Sequence, residues 1–338
     1  MQNDLISTRW FPKCAFSAKN AALLDNVFAD FDQQAEQLIG HDQAYMQLTR
    51  GHFRGRFLSA ILGRDVAIHM EYCNQALEQE VSAPADYITF GVLLGDQDQF
   101  RVNGSAITSD DVFVLPPSGS LHVISPLNGA IMAITVRRDI LLSHTGLTPV
   151  AANWLANLDG TVGYLQMPRL AHRLREDAIA AIESAADTCT AVPATMIGQA
   201  LVASIASNLS LGWNTGAANA KVGATVGFER FQSCRLWLRT AHSQRVDLDD
   251  VAKRMQNSKR SVEQAFSQIV SMGPLTYLRV LRLHEVRRKL ASPATDTRTI
   301  GDIAADHGFW DWSRFSQTYR QHFGELPSAT RCSQVGRG

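Results

Sequence analysis

The chain has 338 residues, 45% of them apolar and 19% charged, and its 32 Lys+Arg balance its 32 Asp+Glu. That length allows two or three domains, and the apolar content is enough to bury sizeable cores. The charge is unevenly placed: residues 1–227 carry 14 basic against 21 acidic side chains, a net −7, and residues 228–338 carry 18 against 11, a net +7. An acidic front and a basic back point to a polyanion as the partner of the back half. The five cysteines, Cys14, Cys73, Cys189, Cys234 and Cys332, are scattered, odd in number and without a CxxC pair. This argues against a disulfide framework or a zinc module and suits a reducing compartment. The opening MQNDLISTRWFPKC lacks the apolar core of a secretory leader. No uninterrupted run of about 18 apolar residues occurs, so the chain is expected to be cytoplasmic and to span no membrane.

Residues 1–40 carry no clear period. From Tyr45 to Val136 short apolar or alternating runs recur, among them RFLSAIL, VAIHMEY, YITFGVLL, VFVLPP and AIMAITV. Turn signals separate them at Asn103-Gly104, Pro116-Pro117 and Asn128-Gly129. Many short strands joined by turn chemistry predict a β-sandwich or small barrel, able to hold one small ligand. From Pro168 the period becomes helical. RLAHRLREDAIAAIESAAD and ATMIGQALVASIASNL carry apolar residues at i, i+3 and i+4 on either side of Pro193. These helices are expected to pack together or to pair with a second subunit. LGWNTGAANAKVGATVG, residues 211–227, is rich in Gly, Ala and Asn and reads as a linker where the charge changes sign.

The basic region that follows contains one unit twice. DLDDVAKRMQNSKRSVEQAFSQIVSMGPLTYL and TIGDIAADHGFWDWSRFSQTYRQHFGELPSAT share Asp-Val/Ile-Ala near the start, Phe266 against Tyr319, and a Gly-Pro signal near the end. Each reads as a short helix, a tight turn and a second helix, the helix-turn-helix pattern. Ser258 is the expected N-cap of KRSVEQAFSQIV, and Asp311 or Ser313 that of WSRFSQTYRQHF. Val262 with Phe266, and Phe315 with Tyr319, are four apart and face inward. The outward stripes then carry Arg260, Glu263 and Gln264 in one unit and Trp312, Ser313 and Gln317 in the other, the expected readers of base edges. Lys259, Arg314 and Arg320 suit phosphates. Between the units, PLTYLRVLRLHEVRRKLAS predicts one long helix, with Leu275, Leu278, Leu281 and His284 on one side, holding the two second helices about one DNA turn (~34 Å) apart.

These residues resemble the DNA-binding domain of AraC/XylS-family transcription regulators. The carriers are Ala252, Ser258, Phe266, Gly273-Pro274, Tyr277-Leu278, Arg282-Leu283, Arg287, Ile303-Ala304, Gly308-Phe309, Ser313, Phe315, Tyr319, Phe323-Gly324, Pro327-Ser328 and Arg331. Trp310-Asp311-Trp312 departs from the small polar residues usual there. The resemblance implies an α+β multidomain chain. It would have a cupin-like N-terminal β-barrel over residues 1–165, dimerisation helices over 166–210, the linker over 211–227, and an all-α domain with two helix-turn-helix units over 228–335. It also implies promoter DNA as partner, a small-molecule effector, contact with RNA polymerase, and a homodimer, with no catalytic residue, cofactor or metal.

In the front half, LTRGHFRGRFLSAIL sets Arg50 and Arg54 four apart with Arg56 close by. Arginine forks grip phosphates and the guanine Hoogsteen edge. The RxxxR spacing resembles the motif by which some receptors hold cyclic di-GMP, which makes Arg50, Arg54 and Arg56 candidate effector ligands. The usual companion motif is partial: Asn103-Gly104-Ser105 is followed by Thr108, not Gly. A polar strand edge after a Gly turn is the favoured reading, because five-residue motifs match often by chance. His52, His69 and His122 lack the spacing of a metal-bearing cupin and are expected to be ordinary histidines. No GxSxG, P-loop or GxGxxG is present. The alternative is a cupin-type small-molecule binding protein or enzyme with a helical tail.

Overall fold

The apolar runs of the front half are nearly continuous because one sheet is covered on both faces. The computed structural model describes residues 23–38, 40–95, 97, 99–187, 192–241, 245–292 and 298–332; Cys14 and Cys189 lie outside these. The chain divides into two units, one of residues 1–45 and 54–224, the other of residues 46–53 and 225–338.

The first unit contains, in order, β1 (Leu23–Phe28), α1 (Phe31–Ala35), β2 (Asp42–Gln47, whose last two residues belong to the second unit), β3 (Gly55–Leu62), β4 (Val66–Cys73), β5 (Leu77–Ser82) and β6 (Tyr87–Leu93). The short strands β7 (Arg101–Val102) and β8 (Ser105–Ala106) follow, then β9 (Asp111–Leu115), β10 (Ser120–Ser125) and β11 (Gly129–Arg137). After them come α2 (Arg138–Leu142), α3 (Pro149–Ala156), β12 (Gly163–Gln166), α4 (Pro168–Ala186), α5 (Ala194–Asn214) and β13 (Asn219–Val222). The strands form an eight-stranded sheet, β1-β3-β4-β11-β6-β9-β12-β13, and a five-stranded sheet, β2-β5-β10-β7-β8. Leu58, Ile68, Met132, Phe90 and Val114 pack in one core with Leu174, Ile182, Leu201 and Ile205 of α4 and α5. Strand neighbours point to opposite faces, so Phe57, His69, Ala133 and Phe113 line the space toward the smaller sheet. A second core of Val81, Phe100, Val102, Leu121, Val123 and Tyr164 fills the rest of that space.

The expected barrel is therefore not closed. The two sheets are separate ladders, and covering the outer face of the larger one with helices makes it a middle layer rather than a barrel wall. Gly91 is fixed by packing: a Cβ there would lie 1.9 Å from Cζ of Phe113, its cross-strand partner. Helix α5 is long and apolar enough to cross a membrane by length and composition, although its Ser, Asn, Gly and Gln break any continuous apolar run. In the fold its apolar stripe is part of the sheet core. The stretch read as a linker holds the last turn of α5, the edge strand β13 and the start of the next helix.

The second unit contains α6 (Val226–Thr240), α7 (Leu248–Arg254), α8 (Lys259–Val270), α9 (Pro274–Ala291), α10 (Ile300–Asp306), α11 (Trp312–Phe323) and α12 (Pro327–Cys332), with the segment Met46–Phe53. The repeat is visible in the caps. Asp247 and Asp250 make a capping box at α7, and Thr299 and Asp302 make the same box at α10. Ser258 caps α8 by accepting from Ser261 N, and Asp311 caps α11 by accepting from Arg314 N. Both second helices end in a left-handed residue, Ser271 at φ 56° and Gly324 at φ 77°. The core is aromatic: Phe231, Phe266 and Tyr277 meet edge to face, and Phe315, Tyr319 and Phe323 stack along α11. Helix α9 buries Tyr277, Leu278, Val280, Leu281, Leu283, His284, Val286 and Leu290, which is most of its circumference. The single apolar stripe read from the sequence is thus too narrow, because helices pack on several sides of α9. Leu275 is the exception, 42% exposed.

Candidate functional site

Helices α8 and α11 each show one buried and one open face. Val262, Phe266, Phe315 and Tyr319 are essentially inaccessible. Arg260, Glu263, Gln264, Ser313, Gln317 and Arg320 are all exposed. The period of 3.6 residues forces this separation, since positions four apart share a face. Trp312 is half-exposed and touches only the edge of the core, its ring 5.8 Å from Phe315. Lys259 is engaged by Asp249 at 2.7 Å, a surface ion pair that fixes α8 to α7. Arg314 is exposed beside a cavity of about 420 Å3, lined also by Arg279, Arg282, Phe309, Trp310 and Asp311.

The three front-half arginines part company. Arg56 is held by Asp25 through Nε at 2.8 Å and Nη2 at 2.6 Å, a bidentate pair across β1 and β3. Arg54 is exposed, with its backbone N–H donating to Asn74. Arg50 is exposed on the segment that belongs to the second unit. That segment is anchored by Gln47, which is fully buried. His284 and His322 both donate Nε2–H to its carbonyl, each at 3.0 Å, and its side-chain amide donates to His322 O at 2.7 Å. Burial first, with neighbouring positive charge, holds both imidazoles below their ordinary range, His322 at about 4.

The first unit encloses a cavity of about 50 Å3 between its sheets. Its walls are mostly apolar, with His41, Gln43, His69, Glu71, Gln79 and Thr89 as the polar members. His69 is 2% exposed, and neither ring nitrogen has a hydrogen-bond partner. Burial, then the nearby His41, lowers its pKa to about 3, so the ring is neutral, with one donor and one acceptor unused. Glu71 is raised by burial while accepting hydrogen bonds from Tyr45, Gln34 and Cys73. His122 Nε2 lies within hydrogen-bond distance of Glu78 Oε1, at 2.8 Å. Among the described residues no three His, Cys, Asp or Glu side chains converge as a metal site.

The family profile described as "Helix-turn-helix domain" matches residues 251–333, the span of both units described above. The chain thus carries a helix-turn-helix domain over about a quarter of its length. It is 38% identical over 85 residues to XylDLEGF operon transcriptional activator 2 of Pseudomonas putida, covering 25% of this chain and 54% of that protein. It is 32% identical over 101 residues to the HTH-type transcriptional activator RhaS of Pectobacterium carotovorum subsp. carotovorum (strain PC1), covering 30% of this chain and 35% of that protein. The chain thus spans about half, or less, of the length of these relatives. Among solved structures it is similar to the AraC-like transcriptional activator CuxR, at 16% identity, TM-score 0.41, and coverage of 84% of this chain and 99% of that one.

Within this helix-turn-helix domain, Trp310-Asp311-Trp312 has a local explanation. Asp311 supplies the cap of α11, and the flanking indoles stay exposed, Trp310 at 83%. Sequence reading missed the Gln47–His284–His322 cluster and the placing of Arg279 beside Arg282 at the cavity, Arg282 entering only as a carrier of the family resemblance. Their members lie on separate elements, and no short motif joins them. The RxxxR spacing drew attention to Arg50 for a different reason.

Proposed function

We propose that the chain is a sequence-specific DNA-binding transcription regulator whose first unit senses a small molecule. The observation that carries the DNA-binding reading is the doubled unit: two helices with matching caps, matching aromatic anchors and open polar faces, joined by one buried helix. Arg260, Glu263, Gln264, Ser313 and Gln317 are the proposed base readers, and Arg314 and Arg320 the proposed phosphate contacts. Lys259 reaches a phosphate only by leaving Asp249. Activation is the favoured direction because the similar proteins named above are activators. Selection from a random duplex library tests the reading. Enriched sites should contain two short elements about one turn (~34 Å) apart, and affinity should fall steeply with salt. No enrichment with a flat salt response would sink it.

The effector site is assigned to the first-unit cavity, on the unpartnered His69. A buried imidazole with no hydrogen bond costs stability, and a small ligand oxygen that both donates and accepts would satisfy it. The substitution His69→Leu should stabilise the chain by about 1–3 kcal/mol and leave DNA affinity in the absence of effector unchanged. A loss of stability would make His69 an ordinary core residue. Dimerisation through α4 and α5 is also proposed; sedimentation at several concentrations tests it, and a strictly monomeric chain would remove it.

A further inference from the structure

We propose that Arg50, Arg279 and Arg314 form a phosphate-binding site along one face of α11, with Arg50 supplied by the segment Met46–Phe53. Arg314, Thr318 and His322 are four apart and share that face. Each marks the place of one arginine. Arg314 is on the helix itself. Arg279, from α9, donates Nη2–H to Thr318 Oγ1 at 3.1 Å, and that hydroxyl donates to Arg314 O at 2.7 Å. Arg50 precedes Gly51, whose N–H donates to His322 O at 3.0 Å. The anchoring of Gln47 described above fixes the same segment at the last turn of α11. The three arginines are thereby placed along about two helical turns (~11 Å) of α11.

Their grouping without counter-charge is what points to a ligand. Some basic groups of this unit have carboxylate partners, as Lys259 has Asp249, Arg288 has Glu285 and Arg298 has Asp306, while others such as the exposed Arg260 and Arg320 have none among the described residues. Among the described residues Arg50, Arg279 and Arg314 have none. The one acid lining the cavity of Arg279 and Arg314 is Asp311, and its Oδ1 already accepts the backbone N–H that starts α11. Burial first, then the charges of Arg314 and Arg50, lower the pKa of Arg279. Clustered positive charge without an internal partner favours an anion from outside. Guanidinium forks match phosphate oxygens in pairs, where ammonium groups offer only a point charge. The phosphate has two sources, the backbone of duplex DNA or a free phosphoryl compound.

The test uses the full-length protein and the variants Arg50→Gln, Arg314→Gln and Arg54→Gln, the last an exposed arginine outside the cluster. Fluorescence anisotropy with a short mixed-sequence duplex is measured over a salt series, and calorimetric titration is made with inorganic pyrophosphate. Thermal melting confirms that each variant folds. If duplex DNA is the source, Arg50→Gln and Arg314→Gln each reduce the slope of log affinity against log salt by about 1, and Arg54→Gln leaves it unchanged. If a free phosphoryl compound is the source, pyrophosphate binds the wild type and loses roughly tenfold affinity in both variants. Either result, or both, supports the site. An Arg50→Gln protein that matches wild type in both arms overturns it, even if Arg314→Gln is impaired. A wild type with no duplex affinity counts against the DNA-binding reading, and the pyrophosphate arm then decides the site alone.

Discussion

Acid should open the second unit through His284 and His322. Both imidazoles are buried, both donate to the carbonyl of Gln47, and both are held neutral by burial. Arg50 near His322, and Arg287 and Arg288 near His284, add like charge that opposes protonation. The folded values lie below the unfolded value of about 6.5. Protons therefore bind the unfolded state first, and the stabilisation present above that value is lost as pH falls toward the folded values. With His322 at about 4 in the fold, a change from about pH 7.5 to about pH 5 costs about 2 kcal/mol. His284 is held low in the same direction, so its protonation adds to that loss. Hydrogen exchange of α9 and α11 peptides, corrected for intrinsic rates, reads this as a fall in opening free energy. The double variant His284→Gln, His322→Gln should start lower but lose much less over the same range. An equal fall in the double variant, or a fall below about 1 kcal/mol in the wild type, would refute the reasoning.

Gly91→Ala should cost about 1–3 kcal/mol in urea unfolding, because the added methyl meets the Phe113 ring. Adding Phe113→Leu should recover part of that loss, and a neutral Gly91→Ala would show that the ring has room to move. Ser258→Ala and Asp311→Ala each remove a side-chain cap and should cost about 1 kcal/mol. Exchange protection should then fall at the first turn of α8 or α11 and not elsewhere in the unit. Gln317→Ala and Arg260→Ala should each cost about 1–3 kcal/mol of affinity for a selected site and relax its sequence preference. Equal weakening on every duplex would reassign them to phosphates.

The second unit was legible because its rules are local. A cap and a period lie within one helix, so Ser258, a cap at Asp311 or Ser313, and the pairs Val262–Phe266 and Phe315–Tyr319 could be placed from the letters. The first unit was legible only as strands. Periodicity tells which residues alternate, but not what covers each face, and here helices cover one face of the eight-stranded sheet. That is why a barrel was expected where two separate sheets stand. Leu275 shows the same limit on a helix, since an apolar residue in phase with a buried stripe is 42% exposed. The clusters Gln47–His284–His322 and Arg50–Arg279–Arg314 were invisible because each joins residues more than 200 positions apart.

Departures from good packing fall at particular places in this chain. Buried polar groups in a stable core find partners, and many here do: Glu71 collects several donors, and the side-chain amide N–H groups of Gln47 donate to backbone carbonyls. Both ring nitrogens of His69 and Oε1 of Gln43, which line the first-unit cavity, have none, and Gln47 Oε1, Ser59 Oγ and Thr148 Oγ1 elsewhere have none either. On the surface, basic groups commonly sit beside acids, yet Arg50, Arg279 and Arg314 gather without one. Both exceptions oppose folding, one through an unmet hydrogen bond and the other through like charge. Local violations of the rules that the rest of a chain obeys mark the places where something other than stability was selected. The cavity asks for a small polar molecule and the arginines for an anion. These are the two kinds of ligand that a small-molecule sensor acting on DNA requires.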